Sequence, residues 1–146
     1  MQNKFRSIGN WFMLRLLRSP IHGLVSGSMA AITVRGARSG RWYHVPVNYQ
    51  RQADTIWVTS YKYRTWWKNL RGGAQVKIRI QGIEFEGQAV VHETPGEVGE
   101  GLRTYFHLAP QMARYFSVKL DEKGEPDPSD MQRIIPGRVV VEIKLQ

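Results

Sequence analysis

Two segments of alternating apolar and polar residues, joined by Gly82, restrict the fold of this chain more than any other feature. In the first segment apolar residues occupy every second position, at Val76, Ile78 and Ile80. A period of two places successive side chains on opposite faces of a β-strand. After the turn at Gly82, residues 83–93 read as a long partner strand. The pattern therefore predicts an antiparallel hairpin with one buried face.

Four more strands are predicted from related patterns. They cover residues 28–35, 41–49, 55–60 and 138–144. Because proline has no N–H to give to a sheet, Pro46 predicts that the second of these strands lies at an edge or bulges there. Six strands, joined mostly as hairpins with helices between them, predict a mainly β fold: a six-stranded antiparallel barrel with helical covers.

Helical segments are predicted at both ends of the strand-rich region. Residues 5–18 carry an amphipathic helical pattern. Residues 65–70 predict one or two helical turns with Thr65 as the N-cap. A helix is predicted to start at the Thr-Pro pair before Glu97 and to run to about residue 108, with a second short helix after it. The Pro- and Gly-containing residues 121–130 are predicted to form a surface loop.

The length of 146 residues predicts one domain. We divide it into an N-terminal helical segment, the core strands, a region of helices and surface loop, and a closing strand. These cover residues 1–27, 28–93, 94–132 and 133–146. There is no cysteine, which excludes disulfides, thiolate nucleophiles and cysteine-ligated metals and fits a reducing cytoplasm. No apolar run is long enough to cross a bilayer, so the predicted location is cytoplasmic.

Charge is distributed unevenly along the chain. Residues 1–81 contain a single acid, Asp54, and carry a formal charge of about +13, whereas residues 82–146 carry about −4. A basic half of this size predicts an anionic partner: a nucleic acid, an anionic membrane, or a phosphorylated or polycarboxylated small molecule. The aromatic, basic residues 5–18 could contact the inner face of a membrane, or could cover the sheet.

The basic half has its densest anion-binding pattern between the first two strands. The loop from Arg35 to Arg41 contains three arginines and two glycines. Arginine forks bind phosphate and carboxylate groups bidentately, and backbone N–H groups freed by glycines add further donors. The loop therefore predicts an anion site.

The side chains of the chain itself predict little catalysis. The four histidines lie in separate elements without metal-ligand spacing, so no metal site is predicted. Neither a nucleophile elbow nor a phosphate-binding P-loop occurs. A chain with an anion site and no nucleophile favours chemistry supplied by a cofactor.

Three motifs together resemble the deazaflavin-dependent nitroreductase family, a group with the split β-barrel fold of the pyridoxamine phosphate oxidases. They are Gly-Ala-Arg-Ser-Gly at 36–40, Val-Pro-Val at 45–47, and Trp-Trp-Lys-Asn-Leu at 66–70. The resemblance implies coenzyme F-420, a deazaflavin, as the cofactor, with flavin mononucleotide (FMN) as the alternative.

The resemblance also implies roles for individual residues. Arg38, Ser39 and Gly40, with Arg41, would hold the phosphate and the oligoglutamate tail. The strand Val45, Pro46 and Val47 would lie against the ring, with Ser60, Tyr61 and Lys62 near the phosphate. Thr65, Trp66 and Trp67 would flank the ring, and Asn69 would fix their short helix. Tyr105 and Tyr115 are candidates for the acceptor pocket and for proton donation.

The function predicted is an oxidoreductase that passes a hydride from the reduced deazaflavin to a quinone, an enone or a nitroaromatic compound. A second interpretation is a non-catalytic split barrel that binds a fatty acid or haem. A third is an FMN-dependent reductase. Nucleic-acid binding is disfavoured because no known motif supports it. A homodimer is a further expectation.

Overall fold

The computed structural model describes residues 29–146, which contain a closed six-stranded antiparallel barrel. The fold predicted from the sequence is confirmed. The strands are β1 (Met29–Arg35), β2 (Trp42–Gln52), β3 (Thr55–Tyr61), β4 (Ala74–Ile80), β5 (Ile83–His92) and β6 (Arg138–Leu145). Their order around the barrel is β1-β2-β3-β6-β5-β4, and β4 closes it against β1. The predicted helix at residues 5–18 and the rest of segment 1–27 lie outside the described residues.

Five helical elements complete the described part of the chain. The α-helices are α1 (Pro95–Leu108) and α2 (Pro128–Ile134), and the 3-10 helices are η1 (Trp66–Leu70), η2 (Pro110–Phe116) and η3 (Ile135–Gly137). Within residues 29–146, no helix has both the length and the apolar character that crossing a membrane requires.

The barrel interior is filled by alternate residues of the strands and closed by η1. The inward-facing Ile32, Val58 and Ile78 have no exposed surface. Trp67 and Leu70 of η1 belong to the same core cluster. Because a period-two pattern puts every second residue inside, the alternation in the sequence correctly predicted these faces.

The barrel is split between β2 and β3. Residues 42–48 of β2 pair only with β1, and pairing with β3 begins at Tyr49–Val58. The end of β3 pairs instead with β6, through Tyr61–Arg138. Pro46 lies in the half of β2 that has one neighbour, so its predicted edge position is confirmed. Continuing the β2–β3 register would place Tyr61 opposite Pro46, across the gap.

A second apolar cluster covers the outer face of β6. Leu102, Tyr105 and Phe106 of α1 pack with Val140 there, and Phe116 of η2 lies against the cluster. This cluster holds α1 and η2 against β6, and α1 also contacts β2 and β3.

Two local predictions were wrong. The surface loop is shorter than residues 121–130, because α2 begins at Pro128 after Asp127, whose carboxylate accepts a hydrogen bond of 3.1 Å from Asp130 N–H. The sequence Asp-Pro was itself a helix-start signal. Thr65 precedes η1, but its side chain makes no capping hydrogen bond. The Thr65 carbonyl instead accepts from Lys68 N–H at 3.1 Å, which closes a 3-10 turn.

Gly101 should be needed for the contact between α1 and the barrel. A Cβ at this position would lie 2.7 Å from Val140 Cγ1, whereas a Cβ at Gly96 in the same helix would meet nothing within 4 Å. We expect Gly101→Ala to lower the free energy of unfolding by about 1–3 kcal/mol through overpacking. Gly96→Ala should instead raise it by up to about 1 kcal/mol. Urea unfolding of the two variants measures both, and equal stability would contradict this packing.

Candidate functional site

The loop between β1 and β2, residues 36–41, is a closed backbone structure. Gly36 N–H donates to Arg41 O at 2.8 Å, and Gly40 N–H donates to Gly36 O at 2.9 Å. Arg35 Nε donates to the Gly40 carbonyl at 3.2 Å. Arg35 therefore clamps the loop, which leaves Arg38 and Arg41 as the arginines most available to a ligand.

The two glycines of this arginine loop are each required for a different structural reason. Gly40 has a φ of 70°, a left-handed conformation that favours glycine. A Cβ on Gly36 would lie 2.5 Å from Ser39 Oγ. That hydroxyl oxygen accepts from Arg41 N–H at 3.2 Å. Because the oxygen is the acceptor, the Ser39 hydrogen stays available to donate to an anion.

Several donors of the arginine loop have no partner within residues 29–146. The backbone N–H groups of Arg38 and Ser39 make no hydrogen bond there, and neither arginine side chain at 38 or 41 forms an ion pair. Two neighbouring amides and two guanidinium groups without an anion make a strongly electropositive site.

Asn69 fastens this loop to the rest of the protein. Its Oδ1 accepts from Ala37 N–H at 2.8 Å. Its Nδ2 donates to the Tyr43 hydroxyl and, at 3.1 Å, to the Trp66 carbonyl. Burial raises the pKa of Tyr43, while the bond from Asn69 lowers it in part. One amide thus joins the loop, β2 and η1.

A cleft of about 620 Å³ opens beside the loop on its β4 side. Its lining consists of Arg35, Gly36, Ala37, Arg38, Ser39, Gly40, Trp42, Asn69, Ala74 and Gln75. Trp42 is 46% exposed and contributes an apolar wall. The cleft combines arginines, free amides and an aromatic surface, and no carboxylate lines it.

The split itself forms the neighbouring surface. Val45 and Val47 point into the core, so only their backbone and the outward side of Pro46 face the split. Tyr61 is 47% exposed and stacks on Tyr63 with ring centroids 5.2 Å apart. A flat apolar ring has a proline and an aromatic pair to lie against here.

Other predicted site residues are buried or make contacts inside the protein in this structure. Trp67 has no exposed surface and Trp66 almost none, so neither can stack on a ring bound at the surface without moving. Both tryptophans belong to the core in this structure, and their role beside the ring stays a prediction. The Ser60 hydroxyl is buried and accepts from Trp66 Nε1 at 3.1 Å. Thr65 is exposed at the start of η1.

The remaining predicted residues occupy two surfaces. Lys62 is exposed, its N–H donates to Gly137 O at 2.8 Å, and its charge helps to lower the pKa of Glu93, whose main partner is Arg71. Tyr115 is 57% exposed. Tyr105 is fully buried, and its ring centroid lies 6.0 Å from that of Phe116. For these residues the assigned roles stay predictions.

Sequence reasoning missed Tyr63, Arg138, Ala74 and Gln75. Gln75 and Ala74 reach the cleft because β4 pairs with β1, a contact between distant segments that carries no local signal. Arg138 reaches the split because β6 pairs with the end of β3. Tyr63 could have been found from its place beside Tyr61 in an aromatic, basic loop.

These features fit an elongated ligand with a flat ring at one end and several negative charges at the other. The unpaired amides and arginines match the charges, and the split matches the ring. Fold and site together define a split-barrel protein that binds a flavin-like cofactor.

A comparison of the sequence with known families identifies the family of this split-barrel protein. Residues 13–118 match the F420H(2)-dependent quinone reductase family, and the chain belongs to it. Its cofactor is therefore the reduced deazaflavin F420, and it is an oxidoreductase. No curated protein matches the chain.

Solved structures share the fold at low sequence identity. The conserved hypothetical protein Rv2991 from Mycobacterium tuberculosis is 18% identical with a TM-score of 0.57, over 88% of this chain and 81% of that one. A Listeria innocua protein, provisionally named a pyridoxamine 5'-phosphate oxidase, is 13% identical with a TM-score of 0.54, over 92% and 94%. Atu2129 from Agrobacterium tumefaciens, a protein of unknown function, is 14% identical with a TM-score of 0.53. The alignment covers 90% of this chain, and this chain spans only 58% of the length of Atu2129.

Asn69 should matter for the stability of the arginine loop. Asn69→Ala leaves the Ala37 N–H and the Tyr43 hydroxyl without their partner, and we expect it to lower the free energy of unfolding by about 1–3 kcal/mol. Asn48 is exposed on the same strand as Tyr43 and serves as the control, for which Asn48→Ala should change stability by less than about 0.5 kcal/mol. Chemical denaturation gives both values, and similar small losses would show that the amide does not hold the loop.

Proposed function

We propose that this protein reduces a quinone with the deazaflavin held along the arginine loop and the split. The observation that carries the proposal is the arginine loop, whose Arg38 and Arg41 side chains and two backbone N–H groups have no partner within the described residues. In a family of F420H(2)-dependent quinone reductases, such a loop matches a polyanionic cofactor.

The arginine loop would hold the charged end of the cofactor. The guanidinium groups of Arg38 and Arg41 bind phosphate and carboxylate oxygens, bidentately where the geometry allows. The amides of Arg38 and Ser39 and the Ser39 hydroxyl add fixed donors. Asn69 keeps these donors in place before the ligand arrives, so that less ordering is required on binding.

The split would hold the flat ring. When bound, the reduced deazaflavin supplies a hydride. The outward side of Pro46 and the ring of Tyr61 give the flat group an apolar surface, and the backbone of Val45 and Val47 offers hydrogen-bonding groups at its edge. The protein thus orients the cofactor and excludes water from one of its faces.

The acceptor would lie between the split and the helical cover. Quinones, enones and nitroaromatic compounds are all flat and electron-poor, and we propose a quinone as the principal class. Tyr115 and Phe116 of η2 stand beside this space. Tyr105 or Tyr115 is our candidate for shaping the pocket and donating a proton.

Several features of the wider protein are part of the same proposal. We propose one cytoplasmic domain over residues 1–146 with no nucleic-acid partner. We also propose a homodimer. A solved structure described as a domain-swapped dimer shares the fold, with a TM-score of 0.53 at 14% identity.

The arginine loop can be tested by binding. We expect Arg38→Ala and Arg41→Ala each to weaken deazaflavin binding about 10- to 100-fold, since each removes charge-assisted hydrogen bonds. Arg51 lies at the opposite end of β2, and Arg51→Ala should change the affinity less than about twofold. Titration of the ring fluorescence gives the affinities. A deazaflavin lacking the phosphate and tail should bind all four proteins alike.

Unchanged affinity in both loop variants would contradict the placement of the charged end. The reaction is tested separately, by following oxidation of the reduced deazaflavin with a soluble naphthoquinone, an enone or a nitroaromatic compound. We expect the naphthoquinone to react fastest. Absorbance typical of FMN in the purified protein, or a bound fatty acid or haem without deazaflavin affinity, would contradict the proposed function.

A further inference from the structure

Arg138, the first residue of β6, is held between aromatic rings. Its guanidinium carbon lies 3.8 Å from the centroid of the Tyr61 ring and 4.4 Å from that of Phe116. Tyr61 stacks in turn on Tyr63. Stacking on two rings orients the plane of the guanidinium group. A side-chain hydrogen bond with Tyr61 engages part of its N–H edge and leaves further N–H groups to donate.

This cation has no anionic partner among residues 29–146. No carboxylate there forms an ion pair with Arg138, and its charged or titratable neighbours are the tyrosines at 61, 63 and 105. Partial burial lowers the pKa of Arg138, an effect that the tyrosines partly offset. A partly buried charge without an ionic partner is costly, and such groups are candidates for functional sites.

Arg138 stands at the rim of the split. It pairs with Tyr61, and the β2–β3 register places Tyr61 across the gap from Pro46. The guanidinium group of Arg138 therefore lies against Tyr61, the residue that faces Pro46 across the gap. It is separate from the arginine loop, which begins at the other end of the unpaired half of β2.

A second polar group, the hydroxyl of Tyr105, lies near Arg138. The Tyr105 side chain is fully buried, and its hydroxyl makes no hydrogen bond of standard geometry among the described residues. Burial raises the pKa of Tyr105, and a side-chain hydrogen bond with Gln50 and the charge of Arg138 lower it in part. The Tyr105 hydroxyl and the Arg138 guanidinium group thus place two polar groups close together at the end of β6.

We propose that Arg138 is a catalytic residue that binds the carbonyl oxygen of the acceptor and stabilises the negative charge that the hydride brings to it. This deepens the proposed function and rests on it. In the overall reaction the reduced deazaflavin loses one hydride and one proton and is oxidised. The quinone gains both and becomes the hydroquinone. Electrostatic stabilisation of this kind acts on the charge as it develops.

The test compares Arg138→Gln and Arg138→Lys with Arg51→Gln, which makes the same charge change at the far hairpin. With saturating reduced deazaflavin, Arg138→Gln should lower kcat/KM for a soluble naphthoquinone about 100-fold. Arg138→Lys keeps the charge without the planar guanidinium fork, and it should lower kcat/KM about tenfold. Arg51→Gln should match the parent protein, and deazaflavin affinity should change less than about twofold in all three.

Binding of an anionic quinone gives a readout that does not depend on turnover. The anion of hydroxynaphthoquinone resembles the charged, partly reduced acceptor. Its affinity, measured by tryptophan quenching with and without oxidised deazaflavin, should fall at least about tenfold in Arg138→Gln. Unchanged anion affinity and kcat/KM in Arg138→Gln would overturn the proposal. A selective loss of deazaflavin affinity would overturn it too, by assigning Arg138 to the cofactor.

Two further outcomes can be distinguished from failure of the Arg138 proposal itself. If the parent protein does not bind deazaflavin, the proposed function fails, whereas loss of the quinone anion in Arg138→Gln still supports an oxygen-binding site. If Arg138→Gln does not fold, Arg138→Lys decides: an unchanged kcat/KM together with unchanged anion affinity would overturn the proposal.

Discussion

The side-chain amide of Asn69 is the interaction on which the arrangement of the site depends. It uses its oxygen on the loop, at Ala37, and both amide hydrogens on Tyr43 and on the Trp66 carbonyl. These partners belong to three different elements. Within residues 29–146, the arginine loop would otherwise be joined to the barrel only through the ends of β1 and β2. A loop whose positive charges have no ion-pair partner among these residues needs such an anchor, because those charges repel one another until an anion binds.

The rest of the site is the gap where two neighbouring strands of the barrel do not pair. β2 pairs with β1 over one half and with β3 over the other, so a gap remains between Pro46 and Tyr61. The 3-10 helix η1 closes the barrel, and its Trp66 and Trp67 belong to the core. The exposed Tyr61, Tyr63 and Trp42 are the aromatic surfaces that a ligand can reach.

The sequence predicted the parts of the structure that depend on local patterns. Alternation identified the strands and their inward faces, as at Val76 and Ile78, and the glycines and arginines identified the loop. Long-range pairing could not be predicted in this way: Gln75 reaches the cleft through β1–β4 contacts, and Arg138 reaches the split through β6. The burial of Trp67 could not be decided from local pattern, because an aromatic residue in a short helix can face either a ligand or the core.

The most direct measurement is of the amides that would hold the phosphate. Isotope-labelled protein can be titrated with the oxidised deazaflavin and followed by its backbone amide resonances. We predict that the amides of Arg38 and Ser39 shift most and exchange more slowly with solvent once the cofactor is bound, while those of the hairpin around Arg51 do not change. Shifts centred elsewhere, with the Arg38 and Ser39 amides unaffected, would contradict the assignment of the arginine loop as the cofactor site.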